Sequence, residues 1–281
     1  MKVLFVGTGL IGGSFSLAMR KHGFLELAGG YSRNPDNLNR SIELGIIDQK
    51  FNTLEEGVAW ADWIILSIPV DVINSMLPSL LDQIDENQLI IDFGSTKGKI
   101  CEGVAEHPKR KRFIAAHPIA GTEYSGPDAA FDSLFVDKLM IICEPNRTDD
   151  DALKAFKEVC AGLQMKVETM AAAAHDRHLA YISHLSHITS YALSNAVLAK
   201  EKDGDVILEL AGSGFESTVR LAKSSPDMWT PIFLENKDMV LEALDGFMDK
   251  ASQFRELLQS ENYEGINTFL EQGRAIKRVI D

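Results

Sequence analysis

Hydrophobic positions in the first half of the chain alternate between two periods. Short apolar runs rich in β-branched residues occur at Lys2–Val6, Trp63–Ile68, Leu89–Phe93, Phe113–Ala116 and Leu139–Cys143, and such runs predict strands. Helix-period stretches at Gly12–Lys21, Leu38–Leu44 and Val72–Leu81 lie between several of them. Strand, helix, strand in this rhythm predicts an α/β domain with a mostly parallel sheet covered on both faces. Runs without any polar position, such as Leu89-Ile90-Ile91, suit central strands buried on both sides. A helix near Asp150–Leu163 and a strand near Met165–Met170 complete this domain, taken as residues 1–170.

From about Ala171 the strand pattern stops. His175–Ala199 predicts a long helix, and Val206–Arg220 and Met228–Ser260 continue the helical period. Residues 171–281 are therefore expected to form a C-terminal all-helical domain. Val240, Leu244, Phe247, Ala251, Phe254 and Leu258 make an apolar stripe along one helix face. Such a stripe serves an intramolecular core or a dimer interface, and a homodimer through the helical domain is the expectation here. Leu179–Ala199 carries no Asp, Glu, Lys or Arg and is long enough to span a bilayer. Its His184, His187, Asn195 and several Ser and Thr mark it instead as a helix buried in protein.

Composition narrows the function. At 281 residues two domains are natural, and 45% hydrophobic with 25% charged residues is ordinary for a globular protein. A net charge of -13 repels polyanions, so neither nucleic acid nor an acidic membrane is an expected partner. The one basic run, Lys109-Arg110-Lys111-Arg112, is expected to be a solvated loop. Three cysteines without paired spacing suit a reducing compartment, and Met1 leads straight into the first strand with no basic leader. A cytoplasmic location is expected.

The sharpest motif is Gly7-Thr8-Gly9-Leu10-Ile11-Gly12, which follows the first strand and opens a helix. Gly7 permits the sharp turn, Gly9 lets backbone approach a pyrophosphate, and Gly12 lets helix and strand pack closely. The helix N-terminus then offers free N–H groups and a positive dipole end to the anion. The sheet is thus expected to be Rossmann-type and to hold a dinucleotide, with Ser67 at the end of the run Trp63–Ile68 counted among the cofactor residues. An NAD site commonly places a carboxylate about twenty residues past the loop, on the ribose. This chain has Gly30-Tyr31-Ser32-Arg33-Asn34 there. No carboxylate repels a 2′-phosphate, and Ser32 and Arg33 can donate to one, so NADP is the preferred cofactor and NAD the alternative.

Three further segments carry chemistry. Asp92-Phe93-Gly94-Ser95-Thr96-Lys97 ends an apolar strand, and His117-Pro118-Ile119-Ala120-Gly121-Thr122-Glu123 ends the next. Both place polar groups at the carboxyl edge where open parallel sheets bind ligands. In the helical part His184 and His187 share a helix face, and Arg220 follows Gly212-Ser213-Gly214-Phe215-Glu216. The His pair lacks a completing carboxylate or thiolate, so metal is not expected. Each residue alone has a bland explanation in packing or solvation. Together they describe hydride transfer to or from an anionic substrate.

The glycine loop, Gly94-Ser95-Thr96-Lys97, His117-Pro118-Ile119-Ala120-Gly121, Ser183-His184-Leu185-Ser186-His187, and Pro226-Asp227-Met228-Trp229 leading to Phe233-Leu234-Glu235-Asn236-Lys237 resemble, in that order, the prephenate dehydrogenase family. The resemblance covers nearly the whole chain. It implies that His117 is the base at the substrate's ring hydroxyl, that Ser95 orients that hydroxyl, and that Arg220 holds a substrate carboxylate. It places His187, with His184 and Thr122, in the substrate pocket, Glu123 at the pocket mouth, and Trp229 near a partner subunit. Ser217 departs from members that carry an acidic residue three before the arginine.

The implied reaction is oxidative decarboxylation of prephenate to 4-hydroxyphenylpyruvate, in tyrosine biosynthesis. Neutral His117 takes the 4-hydroxyl proton as hydride leaves C4, and an imidazole with a pKa near 6.5 suits that task. Arogenate presents the same carboxylate and differs only at the side chain, so arogenate dehydrogenase stays open. A β-hydroxyacid-type dehydrogenase would leave His117 without a task. A non-catalytic dinucleotide-binding protein would need neither Ser95 nor His117.

Overall fold

A computed structural model describes residues 1–122, 124–202 and 207–279. Eight strands make one sheet: β1 (Lys2–Val6), β2 (Leu27–Tyr31), β3 (Gln49–Lys50), β4 (Trp63–Leu66), β5 (Leu89–Asp92), β6 (Phe113–Ile119), β7 (Leu139–Cys143) and β8 (Lys166–Met170). Their order is β3-β2-β1-β4-β5-β6-β7-β8. Every neighbouring pair is parallel except β6 with β7. The direction of strand addition reverses between β1 and β4, the point at which such sheets open a ligand crevice at their carboxyl ends.

Strand period explains the buried sheet. Val3 and Phe5 point to one face, with Ile65, Ile91 and Ile114; Leu4 and Val6 point to the other, with Ile64, Leu66 and Ile90. Helices α1 (Leu10–Lys21), α2 (Pro35–Glu43), α3 (Leu54–Trp60), α4 (Val70–Gln83), α5 (Gly98–Gly103) and α6 (Asp150–Gly162) cover these faces. Phe15 of α1 meets Phe93 edge-on at 4.8 Å and Phe135 at 5.5 Å. Local signals start the helices. Asn34 caps α2 by accepting from the Asp36 N–H, with Pro35 in its first turn, and Thr53 caps α3 through the Glu56 N–H.

The rest of the described chain is helical. α7 (Ala172–Leu179) runs through a π-helical turn, Ala180–His184, into α8 (Leu185–Lys202). Then come α9 (Ser213–Val219), α10 (Pro226–Glu235), α11 (Lys237–Gln259) and α12 (Tyr263–Arg274). Trp229 and Ile232 of α10 pack on Val70 of α4, and Val240 and Ala243 of α11 pack on Ala180. The contact with Val70 seats the helical part on the sheet domain, and that with Ala180 holds α11 within the helical part. None of the described helices is long and apolar enough to cross a membrane.

Four sequence expectations are corrected here. The run Lys109–Arg112 is no solvated loop: Arg110 and Arg112 are buried, because backbone carbonyls of Phe113, Gln88 and Asn87 accept from their guanidinium groups. The uncharged helix Leu179–Ala199 is only partly covered, with Ile182 and Leu198 exposed. The helix expected over Val206–Arg220 is confined to Ser213–Val219, since Gly212 stands extended before it; Val206 lies outside the described residues. Met228–Ser260 is two helices, broken where the Asn236 amide turns inward to donate to the Asp176 carbonyl. Of the α11 stripe, Val240 is buried, Leu244 and Phe254 are half-buried, with Phe254 5.3 Å from Phe269 of α12, and Phe247, Ala251 and Leu258 are exposed.

Candidate functional site

The glycine loop stands at the reversal point. Gly7 follows β1 at φ +92°, a conformation L side chains avoid, and a Cβ there would lie 2.5 Å from the Ser67 carbonyl oxygen. Ser67 Oγ donates to the Gly7 carbonyl at 2.7 Å, tying the ends of β1 and β4 together. A Cβ on Gly12 would overlap Ser67 Oγ, so α1 can press this closely only with glycine there. Above Gly9 the space is open, the nearest atom to a Cβ being the Gly126 nitrogen at 3.9 Å. α1 begins without a side-chain cap and without an acidic residue in its first turn. Its first N–H groups therefore remain for an anion. This cradle fits a pyrophosphate.

Not every loop side chain faces that cradle. Thr8 is buried and accepts from Ser41 Oγ at 2.7 Å, and Leu10 and Ile11 pack toward the core. These three offer backbone only. Beyond β2, Ser32 Oγ accepts from the Asn34 N–H at 3.2 Å, and Arg33 is exposed.

His117 owes its position to register. β5 pairs with β6 only as far as Asp92 opposite Ala115, whereas β6 continues against β7 with His117 opposite Ile141. The β5-side edge of His117 and Pro118 is thus open, and proline, lacking an N–H, is tolerated there. Ser95, partly exposed, sits three residues past the end of β5 on the same carboxyl edge. Between them a buried ion pair of Lys97 with Asp92 holds the β5 turn, and Asp92 also accepts from the Gly94 N–H.

Behind His117 is a linked row of polar groups. His117 Nδ1 lies 2.8 Å from His175 Nε2, and His175 Nδ1 lies 2.7 Å from Asp176 Oδ1. Asp176 accepts in addition from the backbone N–H groups of Lys97 and Gly98, both at 2.7 Å. Burial drives the Asp176 carboxyl up, but the bonds from His175 and the two N–H groups outweigh it and hold it below the usual range. Burial, reinforced by His175, Lys97 and His184, pushes the His117 imidazole well below 6.5. The neutral form of His117 is the resting one.

A second wall comes from the helices. His187 stacks on Trp229 with ring centroids 3.5 Å apart, and its Nδ1 is bonded to the Ser183 carbonyl at 3.1 Å. A carbonyl only accepts, so that nitrogen carries the proton and Nε2 of neutral His187 keeps its lone pair. Burial lowers His187, and the Arg220 charge lowers it further. Buried His184 is pushed down to about 4, chiefly by burial, and takes an N–H from Asn236 at 3.2 Å. Its ring meets Trp229 edge-on at 5.9 Å. Trp229 is thus an internal pillar of this wall. Thr122 is exposed, its hydroxyl accepting from the Tyr124 N–H, and Glu123 lies outside the described residues.

Comparison with known proteins matches this geometry to a family. Residues 15–169 match the nucleotide-binding domain of prephenate dehydrogenase, and residues 171–272 match its dimerization domain. The chain belongs to the prephenate dehydrogenase family. The crystal structure of the Aquifex aeolicus prephenate dehydrogenase with hydroxyphenyl propionate and NAD+ is similar over 100% of this chain and 98% of that one, with 34% identity and a TM-score of 0.92. The prephenate dehydrogenase of Bacillus subtilis (strain 168) is 30% identical over 97% of this chain and 74% of its own length. The arogenate dehydrogenase of Synechocystis is 29% identical, with a TM-score of 0.79 and 99% of both chains covered.

Within this family frame, sequence reasoning missed His175 and Asp176, which fell inside a segment read only as helix. A His-Asp dipeptide at the start of an apolar helix was the available signal. It had no meaning until the fold set it against β6. Asp92, Lys97 and Asn236 stood inside quoted motifs but without a task.

Proposed function

We propose that this chain catalyses the NADP-dependent oxidative decarboxylation of prephenate to 4-hydroxyphenylpyruvate, as a homodimer formed through its helical part. The observation that carries the reading is a neutral imidazole, His117, on the same sheet edge as a glycine cradle fitted to a pyrophosphate. When bound, the nicotinamide accepts the hydride that leaves ring carbon C4. His117 takes the 4-hydroxyl proton in that step, and Ser95 orients the hydroxyl. The resulting carbonyl is conjugated to the carbon bearing the ring carboxylate. Carbon dioxide leaves, its bonding pair runs through the ring to the oxygen, and that oxygen takes its proton back from His117. Aromatisation supplies the driving force, leaving orientation and charge placement to the protein. Arg220 grips a substrate carboxylate through its planar fork.

NADP preference rests on Ser32 and Arg33 and on the lack of a carboxylate between Gly30 and Asn34. The exposed part of the α11 stripe, Phe247, Ala251 and Leu258, in a stretch that matches a dimerization domain, supports the homodimer. Arogenate is the second reading, favoured by the likeness to the Synechocystis enzyme.

The test is direct. Purified protein is supplied with prephenate or arogenate and with NADP or NAD, and formation of reduced cofactor is followed by absorbance. The expected result is turnover of prephenate, a lower KM for NADP than for NAD, and a raised NADP KM in Arg33→Ala. No turnover of either substrate removes the enzymatic reading, and a clear NAD preference removes the role of Ser32 and Arg33.

A further inference from the structure

The row His117, His175, Asp176 fixes where its protons sit. Asp176 Oδ1 and Oδ2 both accept backbone N–H bonds at 2.7 Å, and these bonds with that from His175 hold the carboxyl below its usual range, so it is ionised and offers no proton. The hydrogen between Asp176 and His175 therefore belongs to His175 Nδ1. A neutral His175 then has a bare Nε2, which can only accept. The hydrogen between the two imidazoles must come from His117 Nδ1. His117 is left with its lone pair on Nε2, the nitrogen turned away from the row.

We propose that His175 and Asp176 are positioning residues that set the tautomer of His117 and relay its proton. The proposal rests on His117 being the base. As the substrate O–H bond breaks, an N–H bond forms at His117 Nε2. The Nδ1–H bond of His117 breaks, and an N–H bond forms at His175 Nε2. Positive charge then rests on His175, in contact with the Asp176 carboxylate, instead of on the imidazole next to the substrate. When carbon dioxide has left and the ring oxygen regains its proton, both transfers reverse, so no other donor or acceptor is consumed.

Surrounding charges agree with this direction. Lys97, paired with Asp92 on the β5 side, and His184 on the π-helical turn both disfavour a cation at His117. At His175, burial and Lys97 disfavour the cation, while the bond to Asp176 and the charges of Asp176 and Asp92 favour it. A carboxylate in contact is what His117 itself lacks. The helical part thus supplies the second half of a base whose first half belongs to the sheet.

The experiment combines spectroscopy and kinetics. Nitrogen NMR of the full-length protein, with 15N-labelled histidine and assignment by variants, is expected to show His117 and His175 each protonated at Nδ1 and bare at Nε2. A resting His117 protonated at Nε2 overturns the proposal, and wild-type protein alone decides this point. In His175→Gln the amide oxygen still accepts from His117 Nδ1 but cannot take up a proton. Its kcat is expected to fall roughly tenfold to a hundredfold with KM unchanged. The curved dependence of rate on deuterium fraction expected for the wild type, with two protons in flight, should become linear. Wild-type kcat with an unchanged isotope dependence overturns the relay. His117→Asn separates the two ideas: its turnover collapses if His117 is the base, whatever His175 does, and a His117→Asn enzyme that still turns over removes the base and the relay together.

Discussion

Asp176 Oδ2 accepts a 2.7 Å hydrogen bond from the backbone N–H of Gly98, 78 residues earlier in the chain and on the other side of the junction between sheet and helices. With its bond to the Lys97 N–H it closes the turn that follows β5, where Ser95 sits. One buried carboxylate thus joins the helical part to the sheet edge. Asp176→Ala would strand two N–H groups and the His175 ring, a loss of about 3 kcal/mol. The melting temperature is expected to drop by roughly 5–10 °C. An unchanged melting curve would show that the junction does not depend on this side chain.

The pH dependence of kcat/KM should report the environment of His117. Its pKa is lowered by burial and by His175, Lys97 and His184. The active, neutral form then persists to lower pH than for a free imidazole. The acid limb is expected well below pH 6.5. An acid limb at or above that value contradicts a desolvated base.

Stability should follow pH through the buried histidines. His184 titrates near 6.5 when unfolded and is pushed to about 4 when folded. Between these values the unfolded chain binds a proton that the folded chain refuses, so stability rises with pH and is lost as pH falls from 6.5 toward 4. For this one group the loss between pH 7 and pH 5 is about 2 kcal/mol. Urea unfolding at the two pH values checks the sign, and His184→Gln should flatten the slope. His117 and His175, also lowered, act in the same direction.

Arg220 depresses the pKa of His187 through its charge. If it holds the substrate carboxylate, Arg220→Ala should raise KM for prephenate by roughly tenfold to a hundredfold with a smaller change in kcat. Arg220→Lys should recover only part of this, because an ammonium cannot reproduce the two-pronged contact. Steady-state kinetics decide it: an unchanged KM takes Arg220 out of the pocket.

Much of the fold was legible because its signals are local. Six of the eight strands are expected within a few residues of where they form, five of them as apolar runs, as with Leu89–Phe93 against the observed Leu89–Asp92. β3 is two residues long and α3 seven, too short for periodicity to register. The break at Asn236 was illegible because its cause is tertiary: the amide is drawn to the Asp176 carbonyl and His184. Arg110 and Arg112 misled for the same reason, since only the folded strand ends reveal which carbonyls satisfy them.

The chain's own order of residues was enough to specify the glycine turn after β1, since φ +92° at Gly7 is a demand of the local backbone, while the close packing at Gly12 is set by Ser67 at the end of β4. It was enough, too, to place His117 at a sheet edge. What only the tertiary structure decided is which nitrogen of His117 is free. That depends on His175 and Asp176, 58 and 59 positions further along, brought to it by the docking of helices against the sheet. Periodicity reports the environment of a residue along its own element. A proton's location depends on a neighbour that no period connects.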